Sequence, residues 1–160
     1  MNLIGSGKQF NSLKEKIKIF KLKKKINLLS YKNKSELKKL LSYSSGLVIT
    51  LKNGKSLNKT IPGKFQTYIS FGKPLLISSN SILNSIVYRN NIGYVSKPND
   101  LNKLILNINK ISMLNEKKKK EIYLNSKKVY EQNFEINKIT EKLEYILEET
   151  HRNYAKKNLL

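Results

Sequence analysis

Apolar and polar positions alternate along the chain in blocks of changing period, and those changes divide it into short strands and amphipathic helices. Asn2-Leu3-Ile4 is a brief apolar strand that runs into Gly5-Ser6-Gly7. Phe10, Leu13, Ile17 and Phe20 then recur at steps of 3, 4 and 3 residues, one apolar stripe on a helix whose other face is lysine. Ile26-Asn27-Leu28-Leu29 reads as a second strand. Asn33 and Glu36 have the spacing of a capping box and start a short helix carrying Leu37, Leu40 and Leu41. Gly46 to Leu51, "GLVITL", is apolar almost without alternation, which predicts a third strand covered on both faces of a parallel sheet.

After the polar loop Lys52 to Lys59 comes "IPGKFQTYISFGKPLL", Ile61 to Leu76. Thr60 is the expected N-cap, Pro62 is tolerated in the first turn, Phe65 and Ile69 share a face, and Gly72 followed by Pro74 stops the helix. Leu75 to Ser78 is a fourth strand, and a helix over about Ser81 to Asn90 is expected to bury Ile82, Ile86 and Val87. Asn91 to Val95 returns as a fifth strand. Asp100 caps a helix with Leu101, Leu104, Ile105 and Ile108, and the remainder is helical, with Ile136, Ile139, Leu143 and Ile146 as its last apolar stripe.

Strands and helices alternating at this spacing predict the α/β class, a Rossmann-like parallel sheet flanked by helices with a helical C-terminus, in one domain without internal repeats. Ligands bind outside the carboxyl ends of the strands in such sheets. The pattern therefore predicts two loops on one rim, Gly5-Ser6-Gly7 and Lys52 to Lys64. Both suit phosphate, the first through glycine and exposed N–H groups, the second through a helix N-terminus.

The formal charge of +21 suggests a polyanion as partner, yet the basic residues are 30 Lys and only 2 Arg, beside 20 Asn and 18 Ile. That mixture is expected of A/T-rich coding sequence, and Arg89 and Arg152 are too few and too separated for a nucleic-acid reader, which favours Arg for bidentate contacts. The chain has no cysteine, no apolar run long enough to span a membrane and no signal-peptide pattern at Met1, which directs the expectation to the cytoplasm. The tract Lys117 to Lys120 is read first as a solvated helix face and second as a peripheral contact with anionic lipid at the inner face of the membrane.

No acidic residue occurs between Glu36 and Asp100, while Lys38, Lys39, Lys52, Lys55, Lys59, Lys64, Lys73, Arg89 and Lys97 are all basic. With one histidine in the chain, His151 near its polar end, this stretch offers no metal set, acid/base pair or nucleophilic triad, and the chemistry left to it is the handling of an anion. Lys64 stands in the first turn of its helix, where the dipole repels a cation by roughly 0.3–1 kcal/mol, so a bound anion would account for it. A solvated lysine accounts for it as well. Gly5 and Gly7 are read as a tight turn or as room for a ligand, Thr67 as an ordinary helix position or a hydroxyl donor, and Tyr68 as a half-buried packing residue or a site residue.

Together, Gly5-Ser6-Gly7, "SSGLVITL", "IPGKFQTYISFGKPLL" and "NNIGYVSKPND" resemble the C-terminal, nucleotide-sugar-binding domain of GT-B glycosyltransferases of retaining family 4, in particular the bacterial group acting in O-antigen and capsule assembly. The resemblance covers about residues 1–150, leaving 151–160 as a polar tail. It implies transfer of a sugar from a nucleoside-diphosphate donor, commonly UDP-linked, to a saccharide or lipid-linked acceptor, with no metal and no other cofactor. It also implies that Pro62, Gly63 and Lys64 hold the donor phosphates, that Gly5 and Gly7 admit the nucleotide closely, and that Thr67 and Tyr68 lie beside them. Members of that family commonly carry two glutamates eight positions apart around this helix, and the matching positions here are Lys59 and Thr67. They also have an N-terminal acceptor domain and an initial strand and helix of the donor domain, after which this chain is expected to begin, so a separate acceptor domain is an expected partner. The alternative readings are a non-catalytic remnant or interaction module of such an enzyme, and a basic binder of nucleic acid or anionic membrane.

Overall fold

The computed structural model describes residues 1–157. The chain divides into two compact units, Met1–Tyr43 and the remainder from Ser44 onward. The first contains β1 (Asn2–Ile4), α1 (Phe10–Ile19), β2 (Asn27–Leu29) and α2 (Lys34–Ser42). β1 and β2 pair in parallel, Asn2 opposite Asn27 and Ile4 opposite Leu29, with α1 as the crossover that parallel pairing requires. The Asn33 and Glu36 capping box forms as the spacing predicts: Asn33 Oδ1 accepts from the Glu36 N–H at 2.9 Å and Glu36 Oε2 accepts from the Asn33 N–H at 3.1 Å.

The second unit runs β3 (Leu47–Thr50), a 3-10 turn (Leu57–Lys59), α3 (Gly63–Ser70), β4 (Leu75–Ser78), α4 (Ile82–Arg89), β5 (Gly93–Ser96), α5 (Leu101–Ser112), α6 (Glu116–Asn133) and α7 (Ile136–Lys157). Its sheet is parallel in the order β3-β4-β5. Leu75, Leu76 and Ile77 of the central strand are buried on both faces, with helices α4 and α5 packed against the strand, and Phe65 and Ile69 of α3 and Leu83 and Val87 of α4 are fully buried in the same core. The α/β class, parallel pairing and helical C-terminus agree with the pattern of the sequence.

Several local expectations are corrected. The strands form two separate parallel sheets, and β3 buries only Leu47 and Ile49 while Val48 and Thr50 are exposed, because β3 is an edge strand of its three-stranded sheet. Continuous burial belongs to β4. Thr60 does not cap α3; its Oγ1 donates to the Leu57 carbonyl at 3.2 Å and closes the 3-10 turn, and Pro62, extended at φ −69° and ψ 143°, takes the N-cap position. In α4 the buried face carries Leu83 and Val87, while Ile82 is 48% exposed and Ile86 half-buried, since Ser81 rather than an apolar residue sets the entry angle by accepting the Leu83 N–H. The stripe on α1 reduces to Ile17 as its buried member. In α5 it is Asn107 and Ile111 that are buried, Asn107 donating to the Val95 carbonyl at 3.0 Å, and Leu101, Ile105 and Ile108 face outward. Ile136, Ile139, Leu143 and Ile146 of α7 are likewise exposed. The expected polar tail is helical through Lys157, and its last three residues, 158–160, lie outside the described residues.

Candidate functional site

In the second unit, the loops that leave the carboxyl ends of β3, β4 and β5 are held by short polar side chains. Ser78 Oγ donates to the Lys97 carbonyl and Ser96 Oγ to that of Ile77, both at 3.4 Å. Beyond β4, the fully buried Ser79 lies 2.8 Å from Ser81 Oγ and donates to Asn84 Oδ1 at 2.6 Å, while Asn84 Nδ2 donates back to the Ser79 carbonyl at 2.7 Å. Exposed Asn80 reaches across, its Nδ2 donating to Asn53 Oδ1 at 2.9 Å, and so ties the loop after β4 to the loop after β3. Buried hydroxyls without partners would be costly, so this network specifies one arrangement of the rim. Reading the sequence missed it. The available signal was the apolar run "LLI" passing directly into "SSNS" at Ser78 to Ser81.

α3 starts on the same side of that sheet, after the loop from β3. Its inward face is set by Phe65 and Ile69, both fully buried, with the Phe65 ring edge-on to Phe134 at 6.0 Å and 75°. Helical spacing then leaves Lys64 and Thr67 exposed on the outward face. At the N-terminus the Phe65 N–H donates to the Pro62 carbonyl at 2.8 Å, whereas the N–H groups of Gly63 and Lys64 meet no protein acceptor among the described residues. Pro62 brings no N–H of its own, and a Cβ added at Gly63 would touch nothing within 4 Å. The first turn of the helix therefore carries two unpaired donors, the positive end of its dipole and an exposed lysine, groups whose chemistry suits an anion.

Thr67 Oγ1 donates to the Gly63 carbonyl at 3.3 Å and keeps its lone pairs available to accept. Tyr68 is half-buried, and burial pushes its hydroxyl above the usual tyrosine range, so it is a neutral donor at neutral pH. Lys52, Lys55, Lys59 and Lys64 form no ion pair among the described residues; the ion pairs there are Lys32–Glu36, Lys118–Glu121, Lys119–Glu116, Lys127–Glu131 and Arg152–Glu148. With no carboxylate to neutralise them, these lysines make a one-sided positive field.

Gly5 and Gly7 belong to the first unit, at the carboxyl end of its own sheet. Gly5 has φ +151°, a conformation that L side chains rarely adopt, and donates its N–H to the Leu29 carbonyl at 3.0 Å. The Gly7 carbonyl accepts from the Phe10 N–H at 2.9 Å, which is the tight turn. A Cβ at either glycine would meet nothing within 4 Å, and an open concavity there is lined by Ser6, Gly7, Lys8, Phe10, Asn11 and Ser30. Pro62, Gly63, Lys64, Thr67 and Tyr68 thus lie together on one helix of the second unit, and the two glycines on a loop of the first. His151 is exposed on α7. In the Lys117 to Lys120 tract, Lys118 and Lys119 pair with Glu121 and Glu116 at 2.6 and 2.7 Å, as on an ordinary solvated helix face. Among the described residues no helix is long and apolar enough to cross a membrane.

Parallel α/β units, with helices as the crossovers between their strands, define a Rossmann-like protein. More narrowly, the family model of glycosyl transferases group 1 matches residues 1–129, and the chain belongs to that family. Two crystal structures of Anabaena Alr3699/HepE are similar to it, one in complex with UDP-glucose, with a TM-score of 0.75 at 17% identity, and one in complex with UDP, with a TM-score of 0.71 at 15% identity. Each likeness covers 92% of this chain and 40% of the HepE chain, so the chain spans about two fifths of the length of that relative. At such identity the likeness shows the fold, one half of a GT-B architecture. No curated protein matches the sequence.

Proposed function

We propose that this chain is the donor-binding part of a glycosyltransferase, holding a nucleoside-diphosphate sugar, UDP-linked, for transfer to a saccharide or lipid-linked acceptor in surface polysaccharide synthesis. The observation that carries the reading is the N-terminus of α3, which follows the loop from the carboxyl end of β3: the N–H groups of Gly63 and Lys64 meet no protein acceptor among the described residues, and Lys64 is exposed in the same turn. Family membership and the UDP and UDP-glucose bound by HepE support it.

In the transfer, the bond between the sugar's anomeric carbon and the diphosphate oxygen breaks, the acceptor hydroxyl forms a new bond to that carbon and loses its proton, and negative charge grows on the departing diphosphate. Donors fixed before the reaction at the place where charge develops lower its barrier. Gly63, Lys64 and the helix dipole are suited to this role. Thr67, accepting or donating through its hydroxyl, and neutral Tyr68 are suited to hold donor hydroxyls. The open loop at Gly5 and Gly7 is suited to close approach of the nucleotide. The acceptor site would come from a separate N-terminal domain.

Lys59 and Thr67 at the positions where the family commonly has glutamates favour a second reading, a remnant that binds a nucleotide without turnover. Titration calorimetry with UDP and UDP-glucose tests the first part. Lys64→Ala should weaken binding by about tenfold to a hundredfold, the effect of losing a charge-assisted hydrogen bond, with an unchanged far-UV circular dichroism spectrum. Equal affinities in the two proteins would remove Lys64 from the site. Nucleotide binding without sugar release, even with an acceptor domain supplied, would favour the remnant.

A further inference from the structure

α1 ends in a corner that is closed by backbone hydrogen bonds, basic and apolar at once. The Phe20 N–H donates to the Lys16 carbonyl at 2.9 Å, the Lys21 N–H to that of Lys18 at 3.1 Å, and the Leu22 N–H to that of Ile17 at 2.8 Å, the double closure of a Schellman motif. Lys21 holds the left-handed position at φ 54°, where glycine is usual. The next turn is also closed, with the N–H groups of Lys25 and Ile26 both donating to the Leu22 carbonyl at 2.9 Å. Ile17 anchors the corner from beneath, while Ile19 and Phe20 stand 68% and 66% exposed at its tip.

Around that tip, Lys14, Lys16, Lys18, Lys21, Lys23, Lys24 and Lys25 face one acid, Glu15, a net +6 in 12 residues against +21 in 160. None of them is ion-paired among the described residues. The local density is several times the chain average, so the A/T-rich composition that raises lysine everywhere does not explain it. Nor does packing explain two large adjacent apolar side chains left in water at a fixed turn.

We propose that this corner docks on an anionic lipid bilayer, with Ile19 and Phe20 entering below the headgroups and the lysines lying at the phosphates. The charge matches, since lysines near an anionic leaflet each add several-fold to affinity, and the apolar pair supplies the second signal that lasting attachment needs. A nucleic acid would use the lysines but has no place for Ile19. The docking surface is independent of the nucleotide-diphosphate reading, because vesicles carry no nucleotide, and its residues belong to a different unit of the chain from the partly neutralised Lys117 to Lys120 tract.

The chain has no tryptophan, so Phe20→Trp installs a single tryptophan, whose red-edge excitation is distinct from that of the nine tyrosines. With vesicles of mixed phosphatidylglycerol and phosphatidylcholine its emission should shift to the blue, with phosphatidylcholine alone it should not, and Tyr88→Trp, at an exposed site of the other unit, should stay unshifted on both. In co-sedimentation, replacing Lys21, Lys23 and Lys24 together by Gln should lower partitioning by roughly fivefold per charge removed. Ile19→Ser with Phe20→Ser should lower it on the order of tenfold, with circular dichroism reporting whether the fold is kept. An unshifted Phe20→Trp emission on the anionic vesicles overturns the proposal even if the protein sediments with them. Preference for duplex DNA at equal phosphate, unaltered by the double serine variant, overturns it in favour of a nucleic acid.

Discussion

At the scale of single residues, Lys64 stands in the first turn of a helix whose buried face is fixed by Phe65 and Ile69 and whose first two N–H groups are unpaired, and that turn holds no acid, whereas Lys34 and Lys117 at the starts of α2 and α6 share their first turns with Glu36 and Glu116. The lysine's place in the first turn was legible, because helical spacing and the dipole are local facts; that Pro62 and not Thr60 takes the N-cap position was not. The Ser79, Ser81 and Asn84 network was not legible, because a serine in a loop and a serine locked at zero exposure have the same letter and differ only in what the fold brings to them. Tyr68 offers a titration test. Burial raises its hydroxyl pKa, so its neutral form is favoured in the folded protein and the associated stability is complete below the usual tyrosine value of about 10. It is lost as pH rises through the folded value. In an ultraviolet titration one tyrosine should ionise above the usual tyrosine range, and Tyr68→Phe should remove that late step. Gly72 is a second residue whose role is set by place. It has φ +62°, and an added Cβ would clash with the Tyr123 ring. Gly72→Ala should lower unfolding free energy by more than the roughly 1–2 kcal/mol of the left-handed backbone alone, measured by urea denaturation.

Helix starts were the most legible elements, since a cap is a contract among neighbours in sequence. Asn33 with Glu36, and Asp100 with the Lys103 N–H at 2.9 Å, form as their spacing predicts. Asp100→Ala should cost about 1 kcal/mol by the same urea measurement. Helix faces were less legible. A stripe of apolar residues says that a helix has an apolar side, but α4 and α5 have more apolar residues than one face can bury, and the neighbours choose among them. Leu83 displaces Ile82, and Asn107 is drawn inward because the Val95 carbonyl needs its amide. Thr60 shows the competing case: the 3-10 turn claims its hydroxyl before α3 can use it, and Pro62 supplies the extended N-cap instead.

For the whole molecule, the division into two units has a measurable consequence. Among the described residues of Met1–Tyr43 the buried apolar side chains are Ile17 and Leu41, whereas the second unit is built on Phe65, Ile69, Leu75, Leu76, Ile77, Leu83 and others. Stability follows buried apolar area, so the units should open separately. In hydrogen exchange with increasing urea, amides of α1 and β2 should lose protection before those of β4; simultaneous loss would mean one cooperative unit. By itself the sequence determined the kinds and order of the elements, the caps at Asn33 and Asp100, the absence of acid between Glu36 and Asp100, and the lysine at the start of α3, all of them properties of residues close together in the chain. Only the tertiary structure decided that β4 and not β3 is the covered strand, that the strands form two sheets, which faces of α4 and α5 are buried, and that Asn53 meets Asn80. Those outcomes depend on partners distant in sequence, whose competition for the same buried space no local pattern records.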